Sequence, residues 1–84
     1  MKTIKVKKEN GEIVCDPTST RASANEQIVW NPEGVGEDVV IVFEDKSPFA
    51  ERGPFRLDQP HTIRGDAEKG RYKFKHIKGD IIVT

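Results

Sequence analysis

One thiol and two imidazoles, Cys15, His61 and His76, are the side chains in this sequence best suited to nucleophilic, acid–base or metal chemistry. Their spacing assembles none of these. Zinc sites draw on closely spaced Cys and His pairs, whereas these three residues stand far apart along the chain. A serine nucleophile needs a base and an orienting group beside it, and Ser19, Ser23 and Ser47 have no elbow motif around them. Neighbouring carboxylates occur at Glu37–Asp38 and Glu44–Asp45, but adjacent residues on a strand point to opposite faces. Gly34-Val35-Gly36 lacks the strand-to-helix context of a phosphate loop and reads as a turn. The expectation is a protein that is not an enzyme and holds no cofactor.

Two other sets of residues have the chemistry of binding. Arg71, Lys73 and Lys75 alternate with Tyr72, Phe74 and His76, so an extended strand puts the cations on one face and the rings on the other. Lys5 and Lys7 alternate in the same way with Ile4 and Val6. Such rows either discourage edge-to-edge pairing or neutralise phosphates. The stretch 47–55 repeats a Pro-Phe pair around Arg52. If Phe49, Arg52 and Phe55 stood out from the surface they would be aromatic and arginine anchors for a partner protein. Packed down, the two rings would instead cap the core. The sequence favours Phe55 as structural, since it lies nearer the next strand, with Phe49 and Arg52 exposed.

The elements that must position these residues read as strands. Ile4 and Val6, then Asn10-Gly11, then Ile13 to Cys15 predict two strands about a type I′ turn. Asp16-Pro17 is expected to end the second, because proline cannot donate to a ladder. Residues 27–32 form the next strand, with Ile28 and Trp30 on one face. The apolar run Val39 to Phe43 predicts a central strand. Three prolines and a glycine across residues 46–60 exclude a helix there, leaving a long ordered loop. A short strand over His61 to Arg64 precedes a C-terminal hairpin, Gly70 to Lys75 and Ile81 to Val83, turned at Lys78-Gly79-Asp80. Seven or eight short strands and no helix predict an all-β, antiparallel-rich β-sandwich formed by residues 1–84 as one domain.

Composition sets outer limits. Apolar residues make up 35% and charged residues 33%, with no net charge, which suits a globular domain with a thin core. No apolar run approaches the roughly 20 residues of a bilayer span, so a membrane partner is not expected. The absence of an apolar leader and the lone Cys15 suggest a reduced, cytoplasmic setting with the thiol buried. The charge is separated along the chain. Residues 1–8 carry four Lys and no acid, residues 26–51 seven acids against Lys46, and residues 69–78 five cations and no acid. A dipolar surface of this kind can orient a partner.

The order of strands resembles the cupredoxin family, the blue-copper fold. Asn25 to Asn31 is similar to the cupredoxin strand that ends in a valine, a tryptophan and an asparagine. Gly70-Arg71-Tyr72-Lys73-Phe74 resembles the glycine-x-tyrosine-x-phenylalanine strand that leads into the copper loop, and Gly79 to Val83 resembles the closing glycine-x-isoleucine-x-valine strand. The resemblance implies a Greek-key sandwich. It also exposes a departure: His76 stands where the family has its copper cysteine, and Ile77-Lys78 runs directly into Gly79 with no ligand loop. Blue copper requires two histidines and a thiolate with a weak axial ligand, which His61, His76, Cys15 and Met1 do not supply at matching positions. The function expected is a non-catalytic protein-interaction module on a metal-free cupredoxin-like scaffold. Its expected contacts are Phe49, Arg52 and Phe55, flanked by Lys5, Lys7, Arg71, Lys73 and Lys75. The alternatives are a nucleic-acid accessory protein using the Lys/Arg face and, further off, a metal-binding or redox protein.

Overall fold

The computed structural model describes residues 1–36 and 38–84. Among the described residues there are eight strands: β1 (Lys2–Glu9), β2 (Glu12–Ala22), β3 (Gln27–Glu33), β4 (Val40–Ile41), β5 (Phe55–Arg56), β6 (Pro60–Thr62), β7 (Gly70–Lys73) and β8 (Lys78–Val83). Six make one sheet in the order β6-β3-β1-β2-β8-β7, and β4 pairs with β5. The fold is all-β, and among the described residues no helix is long and apolar enough to cross a membrane. Four of the six strand pairings are antiparallel, while β1/β3 and β2/β8 are parallel, so the large sheet is mixed.

Asn10 and Gly11 connect β1 to β2 with φ of 53° and 80°, the left-handed pair that a type I′ turn demands. Asp16-Pro17 does not end β2, contrary to the sequence expectation. The strand changes partner there. Its first half pairs with β1 as far as Lys5↔Asp16, touching β8 only at Val14↔Lys78, and its second half pairs with β8 from Ser19↔Asp80 to Ala22↔Val83. Pro17 falls between the two ladders, where a missing N–H forfeits no bond. The register shift between Val14 and Ser19 is the local bend expected of extra residues on one strand.

Val39 to Phe43 is not a central strand either. Only Val40 and Ile41 form a strand, and Phe43 makes a single bridge to Phe74. Ile41 and Phe43 are buried while Val40 and Val42 are half-buried, so this run has one inner face. It works as a strap. Glu44 donates its N–H to the Lys73 carbonyl at 2.9 Å and Lys75 donates to the Val42 carbonyl at 2.6 Å. A few residues on, Phe49 bridges Ile63 and the Arg64 N–H reaches the Pro48 carbonyl at 3.0 Å. One segment thus holds the chain beyond β7 and beyond β6, the two outer strands of the large sheet.

The core beneath the strap is aromatic. Trp30 is fully buried on β3, and its ring lies 5.7 Å from Phe49, 6.0 Å from Phe55 and 5.9 Å from Phe74. Phe43 closes the group at 5.3 Å from Phe74. Such tilted and edge-on pairs contribute roughly 0.5–1.5 kcal/mol each beyond area burial. The contact between Trp30 and Phe74 joins residues from opposite ends of the sheet order.

Candidate binding surface

The second half of β2, all of β8 and β7 form one patch whose outer face is set by register. Ile82 pairs with Arg21 on one side and Arg71 on the other, giving the row Arg21–Ile82–Arg71. The row Ser19–Asp80–Lys73 lies beside it. Residues in register share a face, and alternate residues take the other. The intervening Thr20, Ile81 and Tyr72 are accordingly buried. Arg21, Arg71 and Lys73 are exposed, and Ile82 is half-buried between the two guanidinium-bearing side chains.

One carboxylate sits within this patch. Asp80 is only 8% exposed, its Oδ2 is 3.8 Å from Arg71 Nε, and its Oδ1 has no hydrogen-bond partner. The carboxylate is thus drawn beneath the surface, where it offsets the charge of Arg71. Lys2 donates to the Arg21 carbonyl and lies 4.0 Å from Glu26, which compensates its charge. Among the described residues Arg21, Lys73 and Lys75 have no ion-pair partner.

The other expected basic row is compensated. Lys5 lies 3.8 Å from Glu33, and Lys7 lies 3.5 Å from Asp16 and 3.6 Å from Glu9. The charge of Asp16, followed by its hydrogen bond, raises the pKa of Lys7 above its ordinary value. Lys75 is exposed but lies past the end of β7, in the bend that precedes β8. That bend also carries His76 at φ 64°. The strand stops sooner than the alternation of residues implied, and His76 is exposed rather than sharing the buried face of Tyr72 and Phe74.

The loop expected to display aromatic anchors does the opposite. Phe49 and Phe55 are 1% and 2% exposed, with their rings 5.0 Å apart inside the core. The exposure expected of Phe49 is therefore corrected, and the structural role expected of Phe55 agrees with its position. The reason is volume: a chain this short encloses its core by bringing both loop rings under Trp30. Ser47 Oγ accepts the Phe49 N–H at 3.0 Å and fixes the entry of the loop. Arg52 remains exposed at its tip without an aromatic neighbour on the surface.

The remaining reactive groups do not converge. His61 packs against Phe55 at 5.0 Å and Trp30 at 5.6 Å, with Nε2 3.2 Å from the Arg56 carbonyl. Cys15 is buried, and desolvation pushes its thiol up to about 12. Among the described residues no three His, Cys, Asp or Glu side chains group as a metal site would need. Glu44 and Asp45 are exposed in a bend. Of the other acidic pair, Asp38 is exposed and Glu37 lies outside the described residues.

Sequence reasoning missed Arg21 and Ile82. The first lies beyond Pro17, where the strand was expected to have ended, and the second was read only as core. Their pairing across three strands is a property of register, which local alternation does not encode. Compared with protein-family models and with curated proteins, the sequence matches none.

Proposed function

We propose that the chain is a non-catalytic protein-interaction module that binds an acidic partner protein through the outer face of β2, β8 and β7. The observation that carries this reading is the row Arg21–Ile82–Arg71, an apolar side chain between two arginines with the neighbouring carboxylate of Asp80 withdrawn. Arginine and a desolvated apolar centre are the composition of interface hot spots. The scaffold is a Greek-key β-sandwich of cupredoxin type without a metal ion. Its support is that the three stretches of resemblance fall on β3, on β7 with Phe74, and on β8, with Trp30, Tyr72, Phe74, Ile81 and Val83 all turned inward.

A nucleic-acid partner would use the same cations, but single-strand binding also relies on exposed rings on which bases stack. Every Phe, Tyr and Trp of this chain is buried, so the face offers charge without a stacking platform. Fluorescence anisotropy with labelled poly-L-glutamate and with oligothymidylate of equal charge tests the choice. The polypeptide should bind more tightly. Tighter binding of the oligonucleotide, with the steep salt dependence of counterion release, would replace the protein reading with the nucleic-acid one. If neither binds, the face is not a binding surface.

A further inference from the structure

We propose that the acidic partner docks by adding an extended strand to the open edge of β7, beside Arg71; this rests on the charged-face reading and specifies how the face is used. β7 is the last strand of the six-stranded sheet. In an antiparallel pair, alternate residues send their backbone groups to the partner strand and the others send them outward. Here Phe74 donates to the Gly79 carbonyl on the β8 side at 3.1 Å, while Lys73 accepts from Glu44 and Lys75 donates to Val42 on the outer side. The same alternation puts the N–H and C=O of Arg71 on the outer edge, and among the described residues neither has a backbone partner. The strap residues Val42 to Glu44 take up this edge only from Lys73 onward. A two-residue opening is left, with donor and acceptor in place. At the opposite edge of the sheet, β6 begins with Pro60, which has no N–H to offer.

Charge decides the occupant. A second copy of this chain pairing through the same edge would set Arg71 and Lys73 against their own kind, and like charges directly across a ladder are destabilising. An added strand with a carboxylate opposite Arg71 would place it beside that guanidinium on the outer face, while the position opposite Lys73 is already held by Glu44 of the strap. The residue next to it would lie on the face of buried Tyr72 and should be apolar. The recognised element is thus an extended segment with an acid beside an apolar residue, held by main-chain bonds for affinity and by its side chains for specificity.

The test is an NMR titration of the full-length 15N-labelled chain with a capped peptide of about four Glu-Val repeats, alongside the same peptide N-methylated on alternate backbone nitrogens. The unmodified peptide should shift the amides of Gly70 to Lys73 and slow hydrogen exchange at the Arg71 amide by about tenfold or more. N-methylation, which spares charge and removes backbone donors, should weaken binding by at least about tenfold. Equal binding of the two peptides, or no binding of either where poly-L-glutamate still binds, would overturn strand addition and leave the charged-face reading standing. Failure of every acidic probe would remove both. Shifts at Arg71 that depend on protein concentration alone would assign the edge to a second copy and contradict the proposal.

Discussion

Trp30 shows how much of this small core rests on single side chains. It is fully buried and its ring meets Phe49, Phe55, Phe74 and His61. Truncation of large core aromatics costs about 3–5 kcal/mol, a large part of the total stability of a domain this size. Trp30→Ala, Phe49→Ala and Phe55→Ala should therefore each lower the melting temperature steeply in thermal unfolding. Arg52→Ala, at an exposed position, should stay within about 0.5 kcal/mol of the parent. If Phe49→Ala melted like the parent, the loop would be surface after all. Cys15 supplies a pH test at the same scale. Its folded thiol titrates at about 12 against an ordinary 9.0, so the unfolded chain sheds this proton first as the pH rises. The contribution to stability is complete below pH 9 and is lost progressively between about 9 and 12. Denaturant titrations should show Cys15→Ala losing less stability over that interval than the parent. A steeper alkaline loss in the variant would contradict the burial of the thiol.

At the scale of elements, alternation was legible and partnership was not. The inward face of β1 follows from Ile4 and Val6 alternating with lysines, that of β3 from Ile28 and Trp30, and the tight turn from Asn10-Gly11. These are local patterns. The run Val39 to Phe43 was misplaced because a short apolar segment does not reveal whether it is covered on one face or two. β2 was cut short at Pro17 because the cost of proline depends on a ladder that the sequence does not display. The turn before β8 was set a few residues late: residues 75–77 bend, and Lys78, Gly79 and Asp80 already belong to the strand. Gly79 therefore has a packing role in place of a turning one. A Cβ there would stand 2.9 Å from the Cys15 Cβ and 3.0 Å from the Phe74 ring. The backbone of β8 passes this close only because nothing projects from it. Gly79→Ala should cost roughly 1–3 kcal/mol through overpacking, read as a lower denaturant midpoint. An unchanged midpoint would mean that β8 can move away from Phe74 freely.

For the molecule as a whole, function is a question of which charges remain available. The chain is neutral in sum, yet its cations differ in company. Lys5 and Lys7 meet Glu33 and Asp16 on the neighbouring strands and Glu9 on their own, and exposed pairs of this sort contribute little to stability while cancelling each other's field. Arg21, Arg71 and Lys73 share a face whose single carboxylate is mostly buried. The sequence shows the lysines of both stretches, and the fold adds Arg21 to one and ion-pair partners to the other. The basic face is tested most directly by poly-L-glutamate anisotropy on the parent, Arg21→Ala, Lys73→Ala and Lys5→Ala, all exposed positions that should fold alike. Arg21→Ala and Lys73→Ala should each weaken binding by about tenfold, roughly 1.4 kcal/mol, while Lys5→Ala leaves it unchanged. Equal losses from all three variants would mean that the probe senses diffuse charge, and that no surface of this protein is built to bind it.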